Sequence, residues 1–338
     1  MSFPPPDSAR QAQRLAWARG ALDASDAGLI RASIDAGQRS YWRTIGPPTS
    51  RIVMDSPPGL EDVRPWLHWH AVLDAGGVRV PQILARDVEA GFLLLEDLGQ
   101  PTLAQRLAAD PADADAWFDA AIDQLLRLQT ITPPEGTGVF GEALLQRDAG
   151  LFEEWFLGRH LGLTLDCAAS DGLELVQRRL MDNALSQAQV LTHRDFMPRN
   201  LMPVTPGPAM LDFQDCVRGP VAYDAVSMLK DAFLSWPLAR ADGWLLRYHA
   251  RAVEAGVPVP ASPEVFLRDA DWMGIQRHLK ILGIFCRLHY RDGKSQYLPD
   301  LRRFIAYLDE VLPRHPQLAP LQALLDTQIR PALERRPA

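Results

Sequence analysis

The most telling shortage in this chain is lysine. Of 35 basic residues in 338, only Lys230, Lys280 and Lys294 are lysines, so every strong cation before residue 230 is an arginine. A phosphate loop of the form G-x-x-x-x-G-K-[ST] is thereby excluded, because its glycines must be followed by a lysine that reaches the phosphates. Cysteine is equally scarce. Cys167, Cys216 and Cys286 are widely spaced and odd in number, which excludes a disulfide framework and a cysteine-rich zinc site. Long apolar runs are missing too, and stretches free of Asp, Glu, Lys and Arg, such as residues 201–211, are far too short to span a bilayer. Residues 1–7 carry neither a basic n-region nor an apolar h-region, so no secretory signal is expected and the reading is a reduced, cytoplasmic protein. A net charge of −7 removes the electrostatic footprint of a nucleic-acid binder. No internal repeat, low-complexity tract or obligate protein partner is evident.

What is present is an ordinary folding composition, 47% hydrophobic and 23% charged, long enough for one large domain or two lobes. Residues 7–22 read as a helix capped by Asp7 or Ser8. Residues 35–43 read as a small-residue turn leading into β-favouring residues, 51–54 as the returning strand of a hairpin across Gly46-Pro47-Pro48-Thr49, residues 60–75 as a helix, and residues 78–84 and 91–96 as two further strands. Beyond Asp97 the pattern changes: 103–130, 142–160, 171–189, 222–255, 263–291 and 298–312 carry helical periodicity. Short strands at 189–192, 201–204 and 209–211 interrupt it. The expectation is an α+β, bilobal fold, with a small β-rich N-lobe over residues 1–97 and a larger mainly helical C-lobe over 98–338.

The strongest chemical signal is His193-Arg194-Asp195-Phe196-Met197-Pro198-Arg199-Asn200, followed after a hairpin by Asp212-Phe213-Gln214. The pattern H-R-D-x-x-x-x-N sets a carboxylate and an amide five residues apart on one loop, and Asp212 closes the neighbouring strand. Phosphoryl transfer asks for an in-line acceptor and for Mg²⁺ to neutralise the β- and γ-phosphates. Asp195 is then the catalytic base that orients the attacking hydroxyl. Asn200 and Asp212 supply the hard oxygen donors that Mg²⁺ prefers.

These residues resemble the protein-kinase-like phosphotransferases that act on small molecules, the aminoglycoside and choline kinase superfamily. The segment from Asp212 to Asp224 looks like that family's metal-binding Asp followed by its G-P-x-x-x-D element, and Asp224 is expected to tie down the catalytic loop. Gly91–Gly99, the H-R-D to R-G-P block and Met273–Phe285 are similar, more narrowly, to the bacterial anomeric sugar kinases of N-acetylmuramate and N-acetylglucosamine. The resemblance implies ATP and Mg²⁺, a small-molecule amino sugar as substrate, a sugar 1-phosphate as product, and a place in the salvage of cell-wall sugars. It also implies that the backbone of the hinge strand, at Glu96, Asp97 and Leu98, binds the nucleotide base, and that Asp35–Trp42 forms the loop over the triphosphate, with Arg39 and Ser40 as phosphate contacts.

One departure from the family stands out. Protein kinases hold the α- and β-phosphates with a lysine on the third strand, and here that position falls at Met54 or Asp55. Arg39, Arg43 or Arg51, backbone amides and Mg²⁺ must replace it. On the acceptor side, Arg277, Lys280, Ile284 and Arg287 share one side of a helix and suit an anionic acceptor, and Asp215 and Arg218 lie just past the metal Asp. Gly136–Gly141 matches G-x-G-x-x-G but follows Pro133-Pro134 rather than a strand, so it reads as a connecting loop. His68-Trp69-His70 lacks metal spacing and reads as packing or surface. A kinase for an aminoglycoside or amino alcohol, and a nucleotide-binding pseudokinase, stay open at this point.

Overall fold

A computed structural model describes residues 8–33 and 39–335, so residues 34–38 of the expected triphosphate-covering loop, Gly37 among them, lie outside the described residues. The chain forms two compact units. One comprises the chain as far as Leu103 together with Arg199–Gln214, and the other comprises Ala104–Pro198 and the chain from Asp215 onward.

The first unit is built on an antiparallel sheet of β1 (Gly28–Ser33), β2 (Ser40–Ile45), β3 (Arg51–Asp55), β4 (Ile83–Asp87) and β5 (Phe92–Glu96), in the order β1-β2-β3-β5-β4. Phe92–Leu95 are all buried, as a strand covered on both faces requires. Helix α1 (Ser8–Leu22) packs Ala18 against Val53 and Leu94. The end of β3, where a kinase lysine would stand, holds a fully buried Met54 and an Asp55 carboxylate only 1% exposed. Asp55 accepts hydrogen bonds from Arg10 at 3.0 and 2.6 Å and from Arg14 at 2.8 Å. The two guanidiniums stack on Phe92 and Trp42, 4.0 and 3.6 Å from the ring centres. Two arginines of α1 thus neutralise one acid on β3, an arrangement that a local sequence pattern does not announce.

Helix α2 (Arg64–Ala75) starts at a proline after the loop 56–63, later than the expected residue 60. The expected strand 78–84 begins only at Ile83. Before it, the Arg79 carbonyl accepts a bond of 2.8 Å from Met210, in the hairpin of β7 (Leu201–Met202) and β8 (Ala209–Met210), and Pro81 has no N–H to give a sheet. Strand β1 was not expected from the sequence. Gly91 turns the chain between β4 and β5 with φ +73°, and a Cβ there would lie 1.9 Å from the Ser56 carbonyl; only glycine fits.

The second unit is helical except for β6 (Gln189–Thr192) paired antiparallel with β9 (Val217–Pro220), the latter too short and glycine-rich to read as a strand in advance. Its helices are α3 (Leu103–Ala109), which starts at the boundary, α4 (Ala114–Thr130), α5 (Glu142–Leu151), α6 (Cys167–Ser186), α7 (Ala222–Leu229), α8 (Leu238–Glu254), α9 (Pro263–Asp292), α10 (Leu301–Val311), α11 (Ala319–Leu324) and α12 (Arg330–Glu334). The expected helix 103–130 is split at Asp110-Pro111, since proline disfavours helix at the residue before it. The expected helix 222–255 is split at 230–237, where the Asp231 carboxylate accepts the N–H groups of Phe233 and Leu234, both at 3.0 Å. Helix α5 continues as a wider π-helical segment, Phe152–Leu161. There α9 crosses so closely that a Cβ on Gly283 would stand 2.3 Å from the Leu151 carbonyl. Phe152, Phe156, Leu282, Phe304, Leu308 and Ile329 are part of the shared core. Gly136–Gly141 is the connecting loop expected; it lies along β9, with the Arg218 N–H donating to the Gly138 carbonyl at 2.8 Å. No helix among the described residues is long and apolar enough to cross a membrane.

Candidate active site

The loop after β6 is held by a single buried carboxylate. Asp224, on the first turn of α7 and fully buried, accepts the His193 N–H at 2.6 Å on one oxygen and the Arg194 N–H at 3.0 Å on the other. Arg194 needs this support, because its φ of 77° is a left-handed conformation that a side chain disfavours. From the other side the Arg277 guanidinium donates to the Arg194 carbonyl at 3.4 Å. The His193 ring, 1% exposed, accepts the Asp195 N–H on Nδ1 at 3.2 Å and packs edge-on against Phe196. The backbone on both sides of Asp195 is therefore pinned while its carboxylate stands exposed. Burial pushes the Asp224 carboxyl up to about 6, against the pull of the two N–H donors and the Arg277 charge.

Asn200 and Asp212 are brought together by the hairpin of β7 and β8. The Leu211 N–H donates to the Asn200 carbonyl at 2.9 Å, so Asp212 begins one residue beyond the position paired with Asn200. Asp212 adopts φ 62° and presents an exposed carboxylate, one oxygen of which accepts the Gln214 amide at 2.8 Å. The next side chain, Phe213, is fully buried, with its ring 5.0 Å from Trp66 and 6.2 Å from His70 on α2. His70 in turn bonds the Pro81 carbonyl at 2.8 Å, so it serves packing as expected. Among the described residues no group of three or more His, Cys, Asp or Glu could hold a metal. One exposed carboxylate and one amide, with the other positions left to phosphate and water, is a donor set that fits Mg²⁺.

The residues expected around the nucleotide are engaged within the first unit. Arg39 pairs with Glu61 at 2.7 Å. The Ser40 hydroxyl accepts the Trp42 indole N–H at 2.9 Å. Glu96 pairs with Arg79 at 2.5 Å. Asp97 receives Arg43 at 2.6 and 3.0 Å; burial alone would raise its carboxyl, but Arg43, Ser50 and the Gly99 N–H hold it down at about 2. Arg43 is thus committed, and Arg51 donates to the Ser50 carbonyl. Both acidic side chains of the expected hinge are thus occupied within the unit.

On the acceptor side Asp215 and Arg218 are exposed. Arg277 is 4% exposed and lies over the Tyr223 ring, 4.7 Å from its centre. Lys280 pairs with the buried Asp148 of α5 at 3.1 Å and reaches the Tyr223 hydroxyl at 3.4 Å. Asp148 was not singled out from the sequence, since only the crossing of α5 and α9 brings it to Lys280.

Residues 28–264 match the model of the phosphotransferase enzyme family. The chain belongs to that family. Its relatives include an N-acetylmuramate/N-acetylglucosamine kinase of Pseudomonas putida, 48% identical over 88% of this chain and 87% of its own. Proteins of the same name from Pseudomonas aeruginosa (46%, covering 91% of this chain and 90% of the relative) and Neisseria meningitidis (38%, covering 94% and 95%) are also similar. An ethanolamine kinase of Plasmodium vivax (TM-score 0.62, 11% identity, 90% of each chain) and a choline kinase of Streptococcus pneumoniae (TM-score 0.58, 16% identity, 88% of this chain and 99% of that one) share the fold. The phosphotransferase therefore has the protein-kinase-like fold that its H-R-D loop implied, and it is a kinase.

Asp224 yields a test with a definite sign. Its carboxyl holds its proton up to about pH 6 in the folded phosphotransferase and only to about 4 when unfolded. Ionisation therefore costs stability as pH rises between those values, and the cost is complete above them. Asp224→Asn should lack that component in denaturation curves at pH 4.5 and 7.5. Because asparagine offers one oxygen to two N–H donors, kcat should fall roughly ten- to hundredfold. An unchanged kcat would remove Asp224 from the support of the loop.

Proposed function

We propose that this phosphotransferase is an ATP-dependent kinase of N-acetylmuramate and N-acetylglucosamine that phosphorylates the anomeric hydroxyl. The observation that carries the reading is the likeness, 46–48% over most of the chain, to relatives named for those two sugars. The exposed Asp195 on its pinned loop is the group such a reaction needs.

Asp195 accepts the proton of the sugar's C1 hydroxyl as that oxygen attacks the γ-phosphorus. The O1–P bond forms, the bond from phosphorus to the β,γ-bridging oxygen breaks, and ADP leaves while the proton passes from Asp195 to solvent. An anomeric hydroxyl is more acidic than an ordinary alcohol, so a carboxylate suffices as the base. Asn200 and Asp212 would hold Mg²⁺, which when bound neutralises charge on the β- and γ-phosphates. Arg39 and Ser40 contact the phosphates, the backbone of Glu96, Asp97 and Leu98 takes the base, and Asp215, Arg218, Arg277 and Lys280 form the acceptor side. Arg277 and Lys280 keep positive charge behind the loop that carries Asp195.

ADP release with Mg-ATP and a panel of the two amino sugars, choline and an aminoglycoside tests the assignment. Turnover confined to the amino sugars is expected, and Asp195→Asn should lower it by about 10²–10⁴-fold with nucleotide affinity nearly intact. Preferential turnover of choline or the aminoglycoside, or a variant above half the wild-type rate, would contradict it.

The missing lysine sets a second test. Guanidinium binds phosphate oxygens bidentately, whereas an ammonium acts as a point charge. Arg39→Lys should raise the KM for ATP and Arg39→Ala should raise it further, with the sugar KM changing much less. Equal ATP KM in Arg39→Ala and wild type would transfer the phosphates to backbone amides and Mg²⁺.

A further inference from the structure

Arg277 is a cation buried in the second unit, on the middle of α9 and only 4% exposed. Taking a guanidinium out of water is unfavourable unless its surroundings answer the charge. Here the surroundings are the supports of the active loop. Burial works against the Arg277 charge, and the Tyr223 side chain with the Asp195 and Asp224 carboxylates outweighs it. In return Arg277 acts on Asp224 and Asp231, two buried carboxylates whose proton affinity burial raises and which each accept two backbone N–H groups.

The guanidinium is also fixed in place. It lies over the Tyr223 ring, and Tyr223 is itself fully buried, with its ring 4.8 Å from that of Phe140. Lys280 reaches the Tyr223 hydroxyl at 3.4 Å and pairs with buried Asp148 at 3.1 Å. From this base Arg277 donates to the Arg194 carbonyl at 3.4 Å, while Asp224 accepts the Arg194 N–H at 3.0 Å. The one left-handed residue of the loop is therefore held by a cation on its carbonyl and an anion on its N–H. That carbonyl shares its peptide with the Asp195 N–H, so Arg277 acts directly on the backbone that carries Asp195.

The titratable groups facing Asp224 are His193 and Arg194 of the loop, Cys216 ahead of β9, Tyr248 of α8 and Arg277 of α9. Burial pushes the Cys216 thiol and the Tyr248 hydroxyl up, so both stay neutral. Arg194 meets the Asp224 carboxylate through its backbone N–H. Arg277 brings a charge that does not titrate.

We propose that Arg277 is a positioning residue for phosphoryl transfer: from behind the active loop it binds the Arg194 peptide and supplies positive charge beside the Asp224 clamp, and so holds Asp195 in place without touching the sugar. The inference rests on the kinase reading in which Asp195 is the base. It deepens that reading by making Arg277 a support of the loop on the acceptor side rather than a contact of the substrate.

The experiment follows kcat and both KM values against pH in wild type, Arg277→Gln and Arg277→Lys. The acceptor is N-acetylglucosamine, whose lack of charge removes any effect of a lost anion contact. Glutamine keeps a donor without the charge, and lysine keeps the charge without the planar fork. Arg277→Gln should lower kcat about 10- to 100-fold near neutral pH, the worth of a hydrogen bond to a charged group. Its sugar KM should stay within about threefold, as expected for a group that makes no contact with the sugar. The acid limb of its kcat profile should move to higher pH by about one pH unit, because losing a cation favours the protonated carboxyl. Arg277→Lys should restore the limb and part of kcat. Infrared titration gives a readout apart from turnover: the band of protonated Asp224, identified by its loss in Asp224→Asn, should persist to higher pH in Arg277→Gln than in wild type. A raised sugar KM with kcat retained, or an unmoved acid limb and an unmoved Asp224 band, would overturn the proposal. If Arg277→Gln does not fold, Arg277→Lys decides, since a lowered kcat with the wild-type limb supports the proposal and a wild-type kcat with raised sugar KM overturns it. If wild type turns over neither sugar, the amino-sugar reading fails, and the infrared arm still decides whether Arg277 governs the charge of the clamp.

Discussion

The active loop depends on the hydrogen bonds that one buried carboxylate accepts from two successive backbone N–H groups. Asp224 satisfies His193 and Arg194 at the point where the chain turns left-handed. Ionised, it can accept both bonds; protonated, it would face a donor with a donor. That requirement explains why the fold tolerates a carboxyl whose proton affinity burial raises. The clamp fixes the peptide groups on either side of Asp195 and leaves its carboxylate exposed.

A second constraint is the near absence of lysine. In the first unit each carboxylate near the ends of the central strands has acquired arginine partners: Asp55 has Arg10 and Arg14, Glu96 has Arg79, Asp97 has Arg43. Arginine suits this use, since its planar fork can bond a carboxylate with one edge and lie flat on an aromatic ring, as Arg10 and Arg14 do. The position where kinases use a lysine for phosphate has accordingly become a structural acid–arginine cluster beside a buried methionine.

The candidate site residues are contiguous in the sequence: H-R-D-x-x-x-x-N and the following Asp212 lie on one loop and one hairpin, and hairpins are encoded locally by turn residues. Asp224, expected to tie down the loop, was legible for the same reason, within a short element after Asp212. The two-lobe α+β class was legible from the change of periodicity near residue 97. What escaped was everything set by long-range approach. Asp148 meets Lys280, and Glu61 meets Arg39, through contacts that no spacing encodes. The strands β1 and β9 escaped because their residues carry little β signal, and the breaks in the long helices were decided by Pro111 and by the side chain of Asp231.

The central claim is that the hydroxyl activated by Asp195 is the anomeric one. Correlated ³¹P–¹H magnetic resonance of the product formed from N-acetylglucosamine and Mg-ATP tests it without reference to rates. The phosphorus should couple to the anomeric proton. Coupling to the protons of C6, or the absence of any phosphorylated sugar, would contradict it.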